Sequence, residues 1–130
     1  MIVTPFYAGL LALVFFVLSL RVIAMRGKGI SLGDGGDPAM LRRIRGHGNF
    51  AEYVPLVLVM MGFLELGGTA AWLLHALGAA LLVARLLHAY ALSFTQKFTL
   101  GRFGGTALTF AVMNVAALLC LYQGLRGLIA

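Results

Sequence analysis

Four long apolar runs, separated by short polar or glycine-rich stretches, set the pattern of the chain. The first covers about residues 5–25. Some 20 apolar residues, rising ~1.5 Å each, cross a hydrocarbon core of ~30 Å, so this run predicts a membrane helix. Pro5 suits its first turn. Arg21 lies in its last turns, where a long side chain snorkels to the interface, and Arg26 and Lys28 mark its end. Residues 27–37 close on Gly33-Asp34-Gly35-Gly36-Asp37, which is loop chemistry. Asp37 then fits an N-cap with Pro38 at the first helical position. The second helix is predicted over about 38–66, polar in its first turns and apolar afterwards. Pro55 inside it predicts a kink, with the freed carbonyl satisfied by a neighbouring helix. Gly67-Gly68-Thr69 reads as a tight turn, and a third helix follows over about 70–94. Residues 95–105 form a third connection, and a fourth helix runs over about 106–125, almost wholly apolar, with Asn114 its main polar residue and Arg126 closing it.

Short connections make this a single domain: an all-α integral membrane protein folded as a four-transmembrane-helix antiparallel bundle. Composition agrees, at 62% hydrophobic and 11% charged over 130 residues. Ten basic against four acidic residues give a net charge of +6, but the cations cluster at segment ends. That placement serves topology and anionic headgroups, not nucleic acid. Arg26, Lys28, Arg42, Arg43, Lys97 and Arg102 load the first and third connections, which predicts that these face the cytoplasm and that both termini lie on the far side. The apolar N-terminus has no basic leader region and reads as a retained helix rather than a signal peptide. The single cysteine, Cys120, excludes a disulfide framework. Stretches such as Gly78-Ala79-Ala80 favour close helix packing, and four helices enclose little polar volume, so an oligomer is expected.

Against this background one stretch stands out, from Arg42 to Pro55 at the head of the second helix. Charged groups cost roughly 2.5–3.5 kcal/mol each at a membrane helix centre and less near its ends. A cluster of Arg, His, Asn and Glu there is a site hypothesis. Arg45, Asn49 and Glu52 fall at i, i+4 and i+7, on one helix face. Arg45 and Glu52 are two turns apart, too far to pair within the helix. Each needs another partner: a neighbouring helix (Arg85 for Glu52), another subunit, or a ligand carrying both acidic and amino groups. Arg42 and Arg43 serve equally well as plain topology determinants. Asn49 alone would be interhelical glue, Tyr53 alone an interfacial belt residue, and His75 a packing residue. Glu65, beside the second turn, calls for no functional role. A metal site is not expected, because neither a His pair at i, i+4 nor an H-E-x-x-H pattern occurs.

The arrangement Arg42-x-x-Arg45-x-His47-x-Asn49-x-x-Glu52-Tyr53-x-Pro55 heading the second of four helices resembles the MAPEG family, the membrane-associated proteins in eicosanoid and glutathione metabolism. Ala84-Arg85-Leu86-Leu87-His88-Ala89-Tyr90 adds a second, less specific match, and the details look most like the small bacterial members. The resemblance implies a homotrimer in the bacterial inner membrane, with glutathione as co-substrate between adjacent subunits near the cytoplasmic face. It places Arg45, Asn49, Glu52 and Tyr53 at glutathione-binding positions and His47 at a polar position of the same patch. It also places Arg26 against the tripeptide's charged end and Arg85 as a third-helix contact; His88 stands where several members have Tyr. Arg102, in Gly101-Arg102-Phe103-Gly104, matches the arginine that stabilises the thiolate, with Lys97 as a rival. The implied activity is a glutathione transferase or peroxidase acting on a lipophilic electrophile or lipid hydroperoxide drawn from the bilayer. The family also holds a member that binds lipid without catalysis, so a non-catalytic lipid- or partner-binding protein is the alternative. A third reading is a structural or transport bundle in which the patch merely holds helices together. The chemistry suits the first: guanidiniums match carboxylates in bidentate fashion, and Glu52 matches an ammonium.

Overall fold

The computed structural model describes residues 1–27, 29–95 and 99–129. Lys28 and Lys97 lie outside the described residues. Four helices follow one another: α1 (Val3–Arg26), α2 (Pro38–Leu66), α3 (Ala71–Phe94) and α4 (Thr99–Ile129), with no strand among the described residues. The central pair is α2 and α3. The α1 helix packs on both from one side and α4 packs on both from the other, while among the described residues the α1 and α4 backbones do not approach each other. At ~1.5 Å per residue the 24 residues of α1 reach about 36 Å and the 31 of α4 about 46 Å, more than a ~30 Å hydrocarbon core. All four helices are long and apolar enough to span. Leu11, Val57, Met61, Leu81 and Ala116 fill the interior, while Phe16, Val59, Val83 and Leu118 cover the outside with exposed apolar surface. The chain is a multi-pass membrane protein with a four-helix architecture, as its sequence predicts.

The helix ends explain how the bundle is pinned. The first four amides of a helix have no intrahelical acceptor. In α1 these belong to Ile2, Val3, Thr4 and Pro5, and Pro5 has no N–H to satisfy. Ile2, Val3 and Thr4 all donate to the Glu65 carboxylate at the end of α2, the last two at 2.8 Å. One carboxylate therefore closes the whole first turn of α1 and opposes its dipole. The expectation that Glu65 is a bystander beside a turn gives way to this clamp. At the opposite end Asp37 caps α2 as predicted, Oδ1 accepting from Ala39 N–H at 2.7 Å with Pro38 at the first position. The α2 helix continues as one α-helix through Pro55 to Leu66.

Two glycines set the helix separations. A Cβ on Gly78 would run into the Tyr7 ring of α1, so this glycine of the Gly78-Ala79-Ala80 stretch serves packing inside the chain. A Cβ on Gly105 would lie 2.7 Å from the Ala84 carbonyl oxygen and 2.9 Å from His88 N, so the α4 backbone rests directly on α3 there. This corrects the predicted boundary of the fourth helix. The helix starts at Thr99, not near 106, and Arg102 sits within its first turns instead of in a connection before it. The glycines that suggest a loop are instead what small residues do in membrane helices, which is to let backbones approach.

Replacing Glu65 with Ala is expected to speed amide hydrogen exchange at Val3 and Thr4 while leaving the amides of α4 unchanged, as read by exchange mass spectrometry in detergent. Gly105→Ala is expected to destabilise the folded protein by about 1–3 kcal/mol through forced separation of α3 and α4, as read by thermal unfolding.

Candidate functional site

The largest fully buried side chain is Arg85, 1% exposed, in the middle of the α2–α3–α4 contact. Its guanidinium donates to Asn49 Oδ1 on α2 at 2.8 Å, to Thr109 Oγ1 on α4 at 3.3 Å and to His88 Nδ1 on α3 at 3.2 Å. The Phe50 ring lies 5.5 Å from it. Thr109 in turn donates to the Gly105 carbonyl at 2.7 Å, the glycine that lets α4 come close. A guanidinium has no acceptor capacity, so His88 Nδ1 must be the acceptor and the neutral ring carries its proton on Nε2. Arg85 thereby fixes the tautomer of His88 and the orientation of the Asn49 amide.

Above this network is a cleft of about 280 Å³ at the end of the bundle where α2 and α4 begin and α3 ends. Arg45, Asn49 and Glu52 line it from α2, His88 and Leu92 from α3, and Arg102 from α4. The face predicted from the i, i+4, i+7 spacing is thus one wall, and Arg102 faces it from the next helix but one. Arg45, Glu52 and Arg102 are exposed, and among the described residues none of the three side chains has a salt-bridge or hydrogen-bond partner. Arg85 is engaged with Asn49, Thr109 and His88, so it is not the structural partner considered for Glu52. The remaining acids of the chain are committed elsewhere. Asp34 accepts from Gly36 N–H at 3.0 Å, Asp37 caps α2 and Glu65 holds α1. Among the described residues no group of three His, Cys, Asp or Glu side chains is placed to hold a metal ion.

Three predicted residues lie away from this cleft. His47 points to α1, with Nε2 3.1 Å from Ser19 Oγ and its ring stacked on Phe15 at 4.6 Å. Tyr53 packs edge-on against Phe110 of α4 at 5.3 Å. Arg26 donates to the Ser31 carbonyl at 2.8 Å and braces the α1–α2 loop. His75 is held at the opposite end by Tyr7, 3.3 Å from its hydroxyl. The reading of the sequence missed Thr109. Its role follows only from tertiary contacts, with Arg85 on α3 and the Gly105 carbonyl one helical turn before it. Asn114, the polar residue that did draw notice, is exposed and its amide returns to the Phe110 carbonyl of its own helix at 2.8 Å.

With the geometry in place, comparison with known proteins is informative. Residues 4–122 match the model of the MAPEG family. The chain is 34% identical over 117 residues to the inner membrane protein YecN of Escherichia coli K12, covering 89% of this chain and 88% of the relative. The same protein of Escherichia coli O6:H1 matches to the same extent.

Arg85→Leu removes a donor shared by three helices. At ~0.6–1.7 kcal/mol for each interhelical polar contact, the expected loss of stability is of order 2 kcal/mol. The imidazole nitrogens of His88, followed by 15N NMR, are expected to show a single Nε2–H tautomer in the parent and a mixture in the variant.

Proposed function

The chain belongs to the MAPEG family, and from that premise we propose that it is a glutathione-dependent transferase or peroxidase of the bacterial inner membrane, working as a homotrimer. The observation that carries this reading is the cleft in which unpaired charges of both signs, Arg45, Glu52 and Arg102, surround a hydrogen-bonding floor. Glutathione offers two carboxylates, one ammonium and a thiol. In this reading Arg45 takes a carboxylate through its guanidinium fork and Glu52 takes the ammonium. Asn49 and the His88 Nε2–H supply neutral hydrogen bonds.

Arg102 then faces the thiol. A free cysteine thiol titrates near ~8.5, and an adjacent guanidinium favours the thiolate, which is the nucleophile. The thiol proton leaves to solvent at the headgroup level. The sulfur lone pair forms the new S–C bond to a lipophilic electrophile, whose leaving group departs with the displaced electron pair. With a lipid hydroperoxide the thiolate attacks the distal oxygen and the alcohol departs. A second glutathione then yields the disulfide and water. The oxidant is the hydroperoxide and the reductant is glutathione, so the step balances.

The cleft of one chain, at about 280 Å³, lies at the lower edge of small-molecule sites, which span ~300–1,000 Å³. A neighbouring subunit would complete it. Arg26, His47 and Tyr53, which lie outside the cleft of their own chain, would reach the ligand only across such an interface. The basic character of the first connection supports a cytoplasmic position for this end, where glutathione is available.

The test is thiolate formation. Glutathione added at neutral pH to the detergent-solubilised protein is expected to raise ultraviolet absorbance in the thiolate band in proportion to occupied sites. Arg102→Ala should abolish the rise while glutathione still binds, and Arg45→Ala or Glu52→Ala should weaken binding by about tenfold or more, the equivalent of one lost charge-assisted contact. Binding unchanged in both of the latter variants would sink the proposal. Binding without thiolate in the parent would point to a carrier of lipid or of a partner.

A further inference from the structure

The two neutral polar groups on the floor of the cleft, Asn49 and His88, are both turned by Arg85. Its guanidinium donates to Asn49 Oδ1 at 2.8 Å and to His88 Nδ1 at 3.2 Å, so the acceptor atoms of both residues face inward. The Asn49 amide is left with its Nδ2 donors and the His88 ring with its Nε2–H. Among the described residues neither nitrogen has a hydrogen-bond partner, and neither is sealed from the surface, although His88 as a whole is only 3% exposed. Both residues line the cleft. Its floor therefore offers a pair of neutral donors. His88 has no lone pair with which to take a thiol proton, because Nδ1 is held by Arg85 and Nε2 carries the hydrogen. A general-base role is thereby excluded, and what the ring can do for a reaction is donate.

We propose that Asn49 Nδ2–H and His88 Nε2–H form a hole for an oxygen that gains negative charge during the reaction, and that the favoured second substrate is a hydroperoxide whose departing oxygen lodges there. The inference rests on the glutathione reading above and assigns the substrate class to the same site. Asn49 lies between Arg45 and Glu52 on one helix face, and Arg102 is close enough to His88 for its charge to bear on the ring. The donors thus sit between the groups that suit the charged ends of the tripeptide and the arginine that suits its sulfur. Ile44 and Leu92 add an apolar lining for the hydrocarbon of the hydroperoxide. The thiolate forms an S–O bond to the distal oxygen, the O–O bond breaks, and the proximal oxygen leaves as an alkoxide with the bonding pair. His88 and Asn49 hold that charge by hydrogen bonds and keep their protons. The alkoxide is protonated from water, which replaces the proton released by the thiol, and the sulfenic acid reacts with a second glutathione to give the disulfide and water. Donors fixed in advance by Arg85 need no reorganisation as the charge develops. A halide leaving group is a poor acceptor and gains little from them.

The test uses the full chain in detergent with saturating glutathione and cumene hydroperoxide, reading disulfide formation beside thiolate absorbance. The parent is expected to reduce the hydroperoxide. His88→Leu should lower kcat by about 10²–10³-fold, the usual cost of one lost donor to a developing oxyanion, while the thiolate band persists. His88→Gln, whose amide can accept from Arg85 and donate to the cleft, should recover most of the rate. Should His88→Leu fail to fold by circular dichroism, the parent alone decides through its leaving groups. Its acceleration over free glutathione thiolate should be at least about tenfold greater for cumene hydroperoxide than for peroxybenzoic acid, whose carboxylate leaves without help. Equal accelerations would overturn the proposal. So would thiolate without hydroperoxide reduction in the parent, or an unchanged kcat in His88→Leu. Weaker glutathione binding at unchanged kcat in that variant would overturn it as well, by giving the two donors to the tripeptide. Absence of glutathione binding in the parent would remove the reading beneath it, and is told apart from these outcomes by the missing thiolate band.

Discussion

The structure depends on one buried cation. Arg85 cannot relinquish its charge, and it lies where three helices meet. Leaving such a group without acceptors at membrane depth costs far more than any single apolar contact returns. Its acceptors come from three different helices, so α2, α3 and α4 must bring Asn49, His88 and Thr109 to one point. Lipid offers no hydrophobic drive for helices to associate, and association rests on polar contacts and close packing. Both meet here, because Gly105 admits the α4 backbone to α3 and its carbonyl accepts from the same Thr109 that accepts from Arg85. The cleft is the upper surface of this knot. Asn49 and His88 belong to both, so the groups that hold the helices together also orient the floor of the site.

The opposite end of the bundle is tied by a different device. Glu65 reaches from the end of α2 to the first amides of α1, and Pro5 removes the donor that one carboxylate would otherwise leave over. Tyr7 rests on Gly78 and reaches His75 on α3. The α1 helix is therefore fixed to α2 and α3 at the end far from the cleft. Near the cleft it is held by softer contacts, with His47 stacked on Phe15 and Arg43 reaching Arg21.

How much of this the sequence discloses varies with the physics of each feature. Span length is set by bilayer thickness, so four apolar runs give four helices and an antiparallel order without any tertiary information. The wall formed by Arg45, Asn49 and Glu52 is also local, because helical spacing alone puts them together. The start of α4 is not local. Gly104 and Gly105 read as a break, and only the proximity of α3 shows that Gly105 is a contact. Spacing in fact warns against His47, two residues from Arg45 and so about 200° around the helix, where it meets Ser19 and Phe15 instead of the cleft. Family likeness grouped it with the patch; helical geometry separates it. Thr109 escaped for the opposite reason, since a lone hydroxyl in an apolar run says nothing until its partner is known.

A census of charge gives an argument for the cleft that no motif supplies. Three of the four carboxylates, Asp34, Asp37 and Glu65, accept backbone amides, which is structural use. Among the described cations, Arg26 and Arg43 donate to backbone carbonyls, Arg21 and Arg126 lie over aromatic rings, and Arg85 is buried in its network. Arg42, Arg45 and Arg102 remain, with Glu52. In a chain that is 62% hydrophobic and otherwise assigns its charges to holding its own backbone, leftover charges scattered at random would be unremarkable. Instead three of the four, the single uncommitted acid among them, line one cleft over a hydrogen-bonded floor. Elimination and the helical face, two arguments that share no premise, thus arrive at the same residues.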